Sequence, residues 1–272
     1  MKMNWFAFAL FLSVAVFQLP AQQTQVDSKK VEETKTKAEA GDPASEVQLG
    51  FFYEKGQGVA KDEAEAVKWY RKAADQNYAP AQNRLGVCYG LGRGVTTDDV
   101  EKVKWYRKAA DQNFAAAQHN LAKAYADGLG VPQDNAEALK WYRKAADQDY
   151  ALAEDELGYF YADGNGVAKD EAEAAKWYRK AAEQGEYDGQ RMLGMAYALG
   201  QGVPKDYVEA YKWTILAVAN HHAAAEGDLR SLMEKMTKEQ MDEGLKRARE
   251  FKPVTPSPRP QSSAGTTPTP SP

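Results

Sequence analysis

Three histidines, one cysteine, five Gly-x-Gly segments and 39 acidic against 35 basic residues are the groups with chemistry to offer in this 272-residue chain. A histidine metal site on a helix needs two imidazoles at i, i+4 spacing. His119 stands alone, and His221 and His222 are adjacent, so neither arrangement supplies one. Asp163-Gly164-Asn165-Gly166 begins like a calcium loop. Val167, Ala168 and Ala174 then occupy the places of an oxygen ligand, the sharp-turn glycine and the bidentate Glu. The Gly-x-Gly segments lack the preceding strand and the Gly-Lys-Ser/Thr of a phosphate cradle. No pair of carboxylates stands out as an acid–base couple of the glycosidase kind. The expectation is therefore no catalytic residue, no metal and no cofactor. Cys88, the sole thiol, has no internal disulfide to form. It reads as a small buried hydrophobe on a helix, with pairing between chains as the alternative.

What positions these residues is repetition. Trp69, Trp105, Trp141, Trp177 and Trp213 recur every 36 residues. The segment Lys68-Trp69-Tyr70-Arg71-Lys72-Ala73-Ala74 returns at Lys104, Lys140 and Lys176, and decays at Lys212. A second marker keeps the same phase as Leu49-Gly50, Leu85-Gly86, Leu121-Ala122, Leu157-Gly158 and Leu193-Gly194, and a third as Tyr53, Tyr89, Tyr125, Tyr161 and Tyr197. Three markers on one period without insertions mean stacked units, not one globular core.

Each unit reads as two helices. Ser45, Leu49 and Tyr53 lie at i, i+4, i+8, one stripe of a first helix, and Ala66, Trp69, Tyr70, Ala73 and Ala74 form the apolar stripe of a second. The paired glycines between them, Gly56-Gln57-Gly58-Val59 and its four echoes, suit a helix C-terminus with positive φ and a tight reversal. Asp62, Asp98, Asp134, Asp170 and Asp206 stand where the second helix needs its cap, and Glu137 and Glu173 follow where a capping box would place an acid. The fold class is all-α: an α/α superhelical solenoid of two-helix hairpins, its stability summed over repeats and their interfaces.

The ends differ from the middle. Residues 1–21 combine Lys2, an apolar run from Trp5 to Phe17 broken only by Ser13, and Leu19-Pro20-Ala21, which reads as a cleaved secretory signal peptide. A retained anchor is the alternative, but the run falls short of the roughly 20 residues a span needs, so no stable membrane insertion is expected after cleavage. Residues 22–40 are a polar spacer with helix formers from Lys29 to Ala40. Within 224–251, Leu229, Leu232 and Met236, then Met241, Leu245 and Ala248, form the apolar stripes of capping helices, with Thr237 at a helix start. Residues 252–272 hold seven prolines among Ser, Thr and Gly and should be an extended, disordered tail. A net charge of -4 with no basic tract excludes nucleic acid as a partner.

The run Ala153-x-x-x-Leu157-Gly158-x-x-Tyr161, then Gly164-x-Gly166-Val167-x-x-Asp170, then Ala174-Ala175-Lys176-Trp177-Tyr178-x-Lys180-Ala181-Ala182 resembles the Sel-1-like repeat family, a relative of the tetratricopeptide class. The resemblance covers residues 41–223 as five repeats of about 41–79, 80–115, 116–151, 152–187 and 188–223. It implies a non-catalytic scaffold or adaptor that binds a protein or peptide, and with the signal segment it implies a periplasmic or secreted bacterial protein. An envelope or cell-wall structural role with glycan binding is the alternative. Some secreted members carry a disulfide in each repeat; a chain with only Cys88 departs from them.

In such solenoids the first helix of each unit lines the concave side. Counting about 100° per residue from Leu49, Val47 and Phe51 point away from the packing stripe, with Glu54 beside them. The period carries this to Asn83 and Val87, His119 and Lys123, Asp155 and Tyr159, and Arg191 and Met195. These positions change from unit to unit while the packing stripe does not. Phe51, Val87, His119, Lys123, Asp155, Tyr159, Arg191 and Met195 are therefore the candidate partner-binding residues, unless these side chains tuck against neighbouring repeats instead.

Overall fold

The computed structural model describes residues 29–220 and 223–254. Residues 1–28, which include the expected signal segment, His221, His222 and the chain beyond Val254 lie outside the described residues. Every regular element among the described residues is a helix, so the protein is an all-α solenoid of hairpins. The described residues divide into two compact units, one up to Gln148 and one from Asp149.

The first unit contains three hairpins: α1 (Pro43–Lys55) with α2 (Glu63–Asp75), α3 (Ala79–Leu91) with α4 (Asp99–Asp111), and α5 (Ala115–Asp127) with α6 (Asn135–Ala146). Residues 29–39, where the sequence shows helix formers, are helical. Val31 and Ala38 are buried with Leu49, Phe52 and Trp69, so this segment covers the first hairpin. The second unit holds α7 (Ala151–Asp163) with α8 (Glu171–Glu183), α9 (Tyr187–Leu199) with α10 (Tyr207–Ala219), and then α11 (Ala223–Met233) and α12 (Lys238–Glu250). Ala210, Tyr211 and Leu232 are buried there under Leu229, Met236, Met241 and Leu245. The expected stripes thus close the last hairpin, and Thr237 opens α12 with a reciprocal capping box to Gln240.

Close approach sets the repeat's markers. A Cβ placed on Gly50 would lie 2.6 Å from the Tyr70 ring, and on Gly86 2.4 Å from the Tyr106 ring. In the second unit the same substitution at Gly158 would meet Tyr178 at 2.3 Å. The glycine is the recess into which the tyrosine of the second helix packs.

The loop glycines make a second contact. Gly56 ends α1 in the left-handed region with its N–H on the Phe52 carbonyl. Gly94, also at positive φ, would place a Cβ 2.0 Å from the Glu63 carbonyl oxygen. The loop of one repeat therefore rests on the start of the preceding repeat's second helix.

The five aspartates cap as expected, each accepting a backbone N–H from the first turn of its helix. The glutamates do not complete capping boxes. Asp134 N–H already donates to the Tyr125 carbonyl and Asp170 N–H to the Tyr161 carbonyl. With those donors occupied, Glu137 binds Lys140 at 2.9 Å and Glu173 binds Lys176 at 2.8 Å.

Beyond α12 the chain packs back on the second unit. Phe251 packs edge-on against Trp213, ring centroids 5.3 Å apart, and Val254 N–H donates to the Glu183 carbonyl at 2.8 Å.

Two predictions follow from packing. Trp141, 7 % exposed, should cost on the order of 3–5 kcal/mol when replaced by Ala, read as a lowered urea midpoint. Gly94→Ala combines left-handed strain with a backbone clash and should cost about 2–5 kcal/mol, whereas Gly56→Ala, with strain but a nearest neighbour at 3.2 Å, should cost about 1–2 kcal/mol. Equal losses at the two glycines would refute the packing role of the second one.

Candidate partner-binding surface

The first helices of the repeats point their invariant leucines inward. Leu49, Leu85 and Leu121 in the first unit, and Leu157 and Leu193 in the second, are fully buried. The outward row is set by that anchoring, and the structure places its members in different environments.

In the first unit Phe51 is half-buried. Lys55 Nζ from its own helix and the Arg84 guanidinium from α3 each sit 5.7 Å from its ring centroid. The ring thus has two cations within cation–π range. Val87 is half-buried, and the neighbouring Asn83 accepts a hydrogen bond from Asn120 at 2.9 Å. Lys123 is exposed and pairs at 3.6 Å with Asp127 one turn on. His119 packs its ring 5.7 Å from that of Tyr142. Burial lowers its pKa to about 4, against a smaller opposing effect of the Asn120 side chain. It is a neutral packing imidazole at pH 7.

Glu54, expected beside this row, is buried. It accepts from the Tyr70 hydroxyl at 2.8 Å and pairs with Arg93 at 3.2 Å and Lys55 at 3.0 Å. Burial pushes its carboxyl up, but the Tyr70 and Lys55 bonds outweigh that and leave it below its ordinary value. It ties α1 to α2 and to the next repeat's loop.

In the second unit Tyr159 is half-buried and meets the Tyr178 ring edge-on, centroids 5.5 Å apart. Arg191 Nε binds Asp228 Oδ2 at 2.6 Å, joining α9 to α11. Met195 is half-buried. Asp155 is only 6 % exposed, so it does not present itself to solvent as the period suggests. Burial pushes its carboxyl up to about 8, assisted by Glu186, Asp188 and Glu156.

Two features escape the sequence reading. The first is a ladder of side-chain amides. In the first unit Gln76 donates to Glu46, Gln112 to Gln82 and Gln148 to Gln118, at 2.7, 2.7 and 2.6 Å. Gln82 and Gln118 also bond to Asn77 and Asn113 at the end of the preceding hairpin. Gln184 donates to Glu154 in the second unit. The signal was available, since Gln76, Gln112, Gln148 and Gln184 share the 36-residue period. The second feature is a groove of about 440 Å³ beside Trp105, bordered by Val100, Lys104, Lys108 and Val131. Lys108 Nζ lies 4.1 Å from the Trp105 ring, and Lys72 and Lys144 cover Trp69 and Trp141 in the same way. Periodicity marks these tryptophans as pure packing residues; their solvent-side faces are instead cation-covered.

Cys88 is buried, with burial pushing its thiol up to about 11, so it is a packing residue. No described helix is long and apolar enough to cross a membrane.

A sequence model of the Sel1 repeat matches residues 43–78, 79–114, 115–150, 151–186 and 188–222. No curated protein matches the chain. Among solved structures, a Sel1 repeat protein from Oxalobacter formigenes is 33 % identical with a TM-score of 0.69, covering 83 % of this chain and 96 % of that one. A protective antigen present in uropathogenic Escherichia coli strains is 32 % identical with a TM-score of 0.47; the match covers 81 % of this chain but only 56 % of the antigen.

The buried imidazole makes a pH prediction. Unfolded His119 takes up a proton near pH 6.5, but the folded protein does so only near pH 4. Its contribution is intact above pH 6.5 and is lost as pH falls through 4, by at most about 3 kcal/mol. Comparing urea unfolding of the wild type and His119→Leu between pH 7 and pH 4 should show the smaller acid loss in the variant. Parallel curves would mean that His119 is solvated.

Proposed function

The chain belongs to the Sel1 repeat family, and from that premise we propose that it is an adaptor that binds a protein or peptide in the exported compartment of a bacterium. The protein is a non-catalytic interaction scaffold. The observation that carries the finer reading is the contrast between fixed and free positions on the first helices. Leu49, Leu85 and Leu121 are identical and fully buried, while Phe51, Val87 and Lys123 differ at positions that retain exposure. Stacking does not use these outward positions, so each unit is free to present a different residue to a partner. Phe51 with Arg84 near its ring suits an interface anchor, since aromatic and Arg side chains concentrate binding energy. In the second unit Tyr159, Arg191 and Met195 take the corresponding part, although Arg191 has Asp228 as a competing partner. Asp155 is too buried to serve as a contact. The exported location rests on Lys2 and the apolar run from Trp5 to Phe17.

The test is crosslinking capture from the bacterial envelope fraction with the full chain, followed by affinity measurement on the captured protein. Phe51→Ala with Lys123→Glu should weaken binding about 10-fold or more while leaving the circular dichroism spectrum unchanged. Unchanged affinity in a folded double variant removes this face from the binding site. Recovery of the full-length chain, first residues included, from the cytoplasm alone refutes the export reading.

A further inference from the structure

Asp155 on α7 and Glu186 and Asp188 at the start of α9 each bring a carboxylate oxygen within 4.8 Å of the other two. Asp155 is 6 % exposed and Glu186 9 %. Glu186 spends one oxygen on the Gly189 N–H, at 2.7 Å, as the cap of α9. Its other oxygen, Oε1, is buried without a hydrogen-bond partner, and so is Oδ1 of Asp155. Buried carboxylate oxygens are costly without a donor or a cation. The charged groups acting on Asp155 are Glu186, Asp188 and Glu156, all of the same sign. Arg191, which acts on the adjacent Tyr159, binds Asp228.

The repeat itself provides an internal control. The position of Asp155 is filled by Val47, Asn83, His119 and Arg191 elsewhere, and that of Glu186 by Tyr78, Phe114 and Tyr150 in the three preceding repeats. Those three aromatics begin α3, α5 and α7 with no side-chain cap. Asp188 stands where Pro80, Ala116 and Leu152 do. Stacking requires none of the three acids, yet all three converge at one repeat junction.

We propose that Asp155, Glu186 and Asp188 bind a hard divalent cation of calcium's size, pinning α7 to the start of α9. Calcium takes oxygen ligands at about 2.3–2.6 Å, so one ion spans oxygens up to about 5 Å apart, and water completes the six to eight positions it prefers. Magnesium, at about 2.1 Å and strictly octahedral, spans less. The early turn of α9 favours carboxylates there, which holds the ligands in place before the ion arrives. With three protein carboxylates and the remainder water, the affinity belongs in the weak range of calcium modules, roughly 10⁻⁴–10⁻³ M.

The experiment uses the full chain, stripped with chelator and titrated with calcium chloride by calorimetry, and with Tb³⁺ read through sensitised emission on tyrosine excitation, for which Tyr187 and Tyr159 stand close. The expected result is one saturable site per chain, a higher Tm in calcium than in chelator, and a smaller rise in magnesium. Asp155→Asn and Asp188→Asn should each weaken binding at least 10-fold, and Glu54→Gln, a buried carboxylate of the first unit, should not. If Asp155→Asn fails to fold, the partly exposed Asp188→Asn decides alone. Absence of saturable binding up to about 10 mM, well beyond the weakest calcium modules, overturns the proposal. So does calcium binding that both variants leave unchanged, or a Tm that follows pH through these carboxyls while ignoring every cation.

Discussion

The solenoid depends on how closely its two helices per repeat approach. With a glycine after the invariant leucine, the first helix offers bare backbone to the ring of Tyr70, Tyr106 or Tyr178, at distances no Cβ would tolerate without displacement. Glycine in a helix costs roughly 1 kcal/mol against alanine, so its placement is opposed by local propensity and favoured only by packing. The third repeat marks the margin of this constraint: Ala122 stands at the glycine position, and Tyr142 is still 1 % exposed. The fifth repeat substitutes a smaller partner, with Thr214 facing Gly194. The last hairpin reuses the device from outside the repeat, since Gly244 of α12 faces Tyr211.

Close stacking buries backbone ends, and the hydrogen-bond economy is built around that. Each Asp cap uses its side chain on its own helix and its N–H on the tyrosine carbonyl of the helix before. One residue thereby satisfies two elements, and the neighbouring glutamates are released to pair with lysine. The amide ladder does the same at the opposite end of each hairpin, where Asn77 and Asn113 adopt positive φ. Gln82 joins these ends by bonding the Ala74 carbonyl, Asn77 and Gln112. Among the described residues, the buried polar side chains Glu46, Gln82, Gln118, Glu154 and Gln190 hold one position of the 36-residue period, which makes those off it informative.

Much of this was legible in the residues because repetition lets a chain be compared with itself. Trp, Leu-Gly, Gly-x-Gly and the capping Asp declared the hairpins, their turns and their phase. The capping boxes were misread because the sequence does not say that the Asp N–H is already taken by a tyrosine carbonyl. The amide ladder was missed because glutamine at a helix end reads as solvated surface, and only packing shows it to be covered. The period gives the angle of the outward row, but angle alone does not fix depth. His119 met Tyr142, Asp155 went under cover and Arg191 found Asp228, each through a neighbouring element whose approach the period does not encode. Phe251, at the end of the capping segment, meets the Trp213 ring edge-on, a contact that no periodic spacing encodes.

Function in such a chain has to reside in what departs from the period, and the departures are of two kinds. Phe51 and Lys123 depart at exposed positions, where a different residue costs the fold little and changes what a partner meets. Asp155 and Glu186 depart where the half-buried Val47 or Tyr150 serve other repeats, and there each acid is buried with one oxygen left without a hydrogen-bond partner. Exposed variation is cheap and so accumulates for many reasons; buried variation toward an acid is opposed by desolvation at every step. A carboxylate that persists there against that cost carries the stronger physical argument for a ligand, which is why the acidic junction, and not the tryptophan period, is the place where this scaffold differs most sharply from mere repetition.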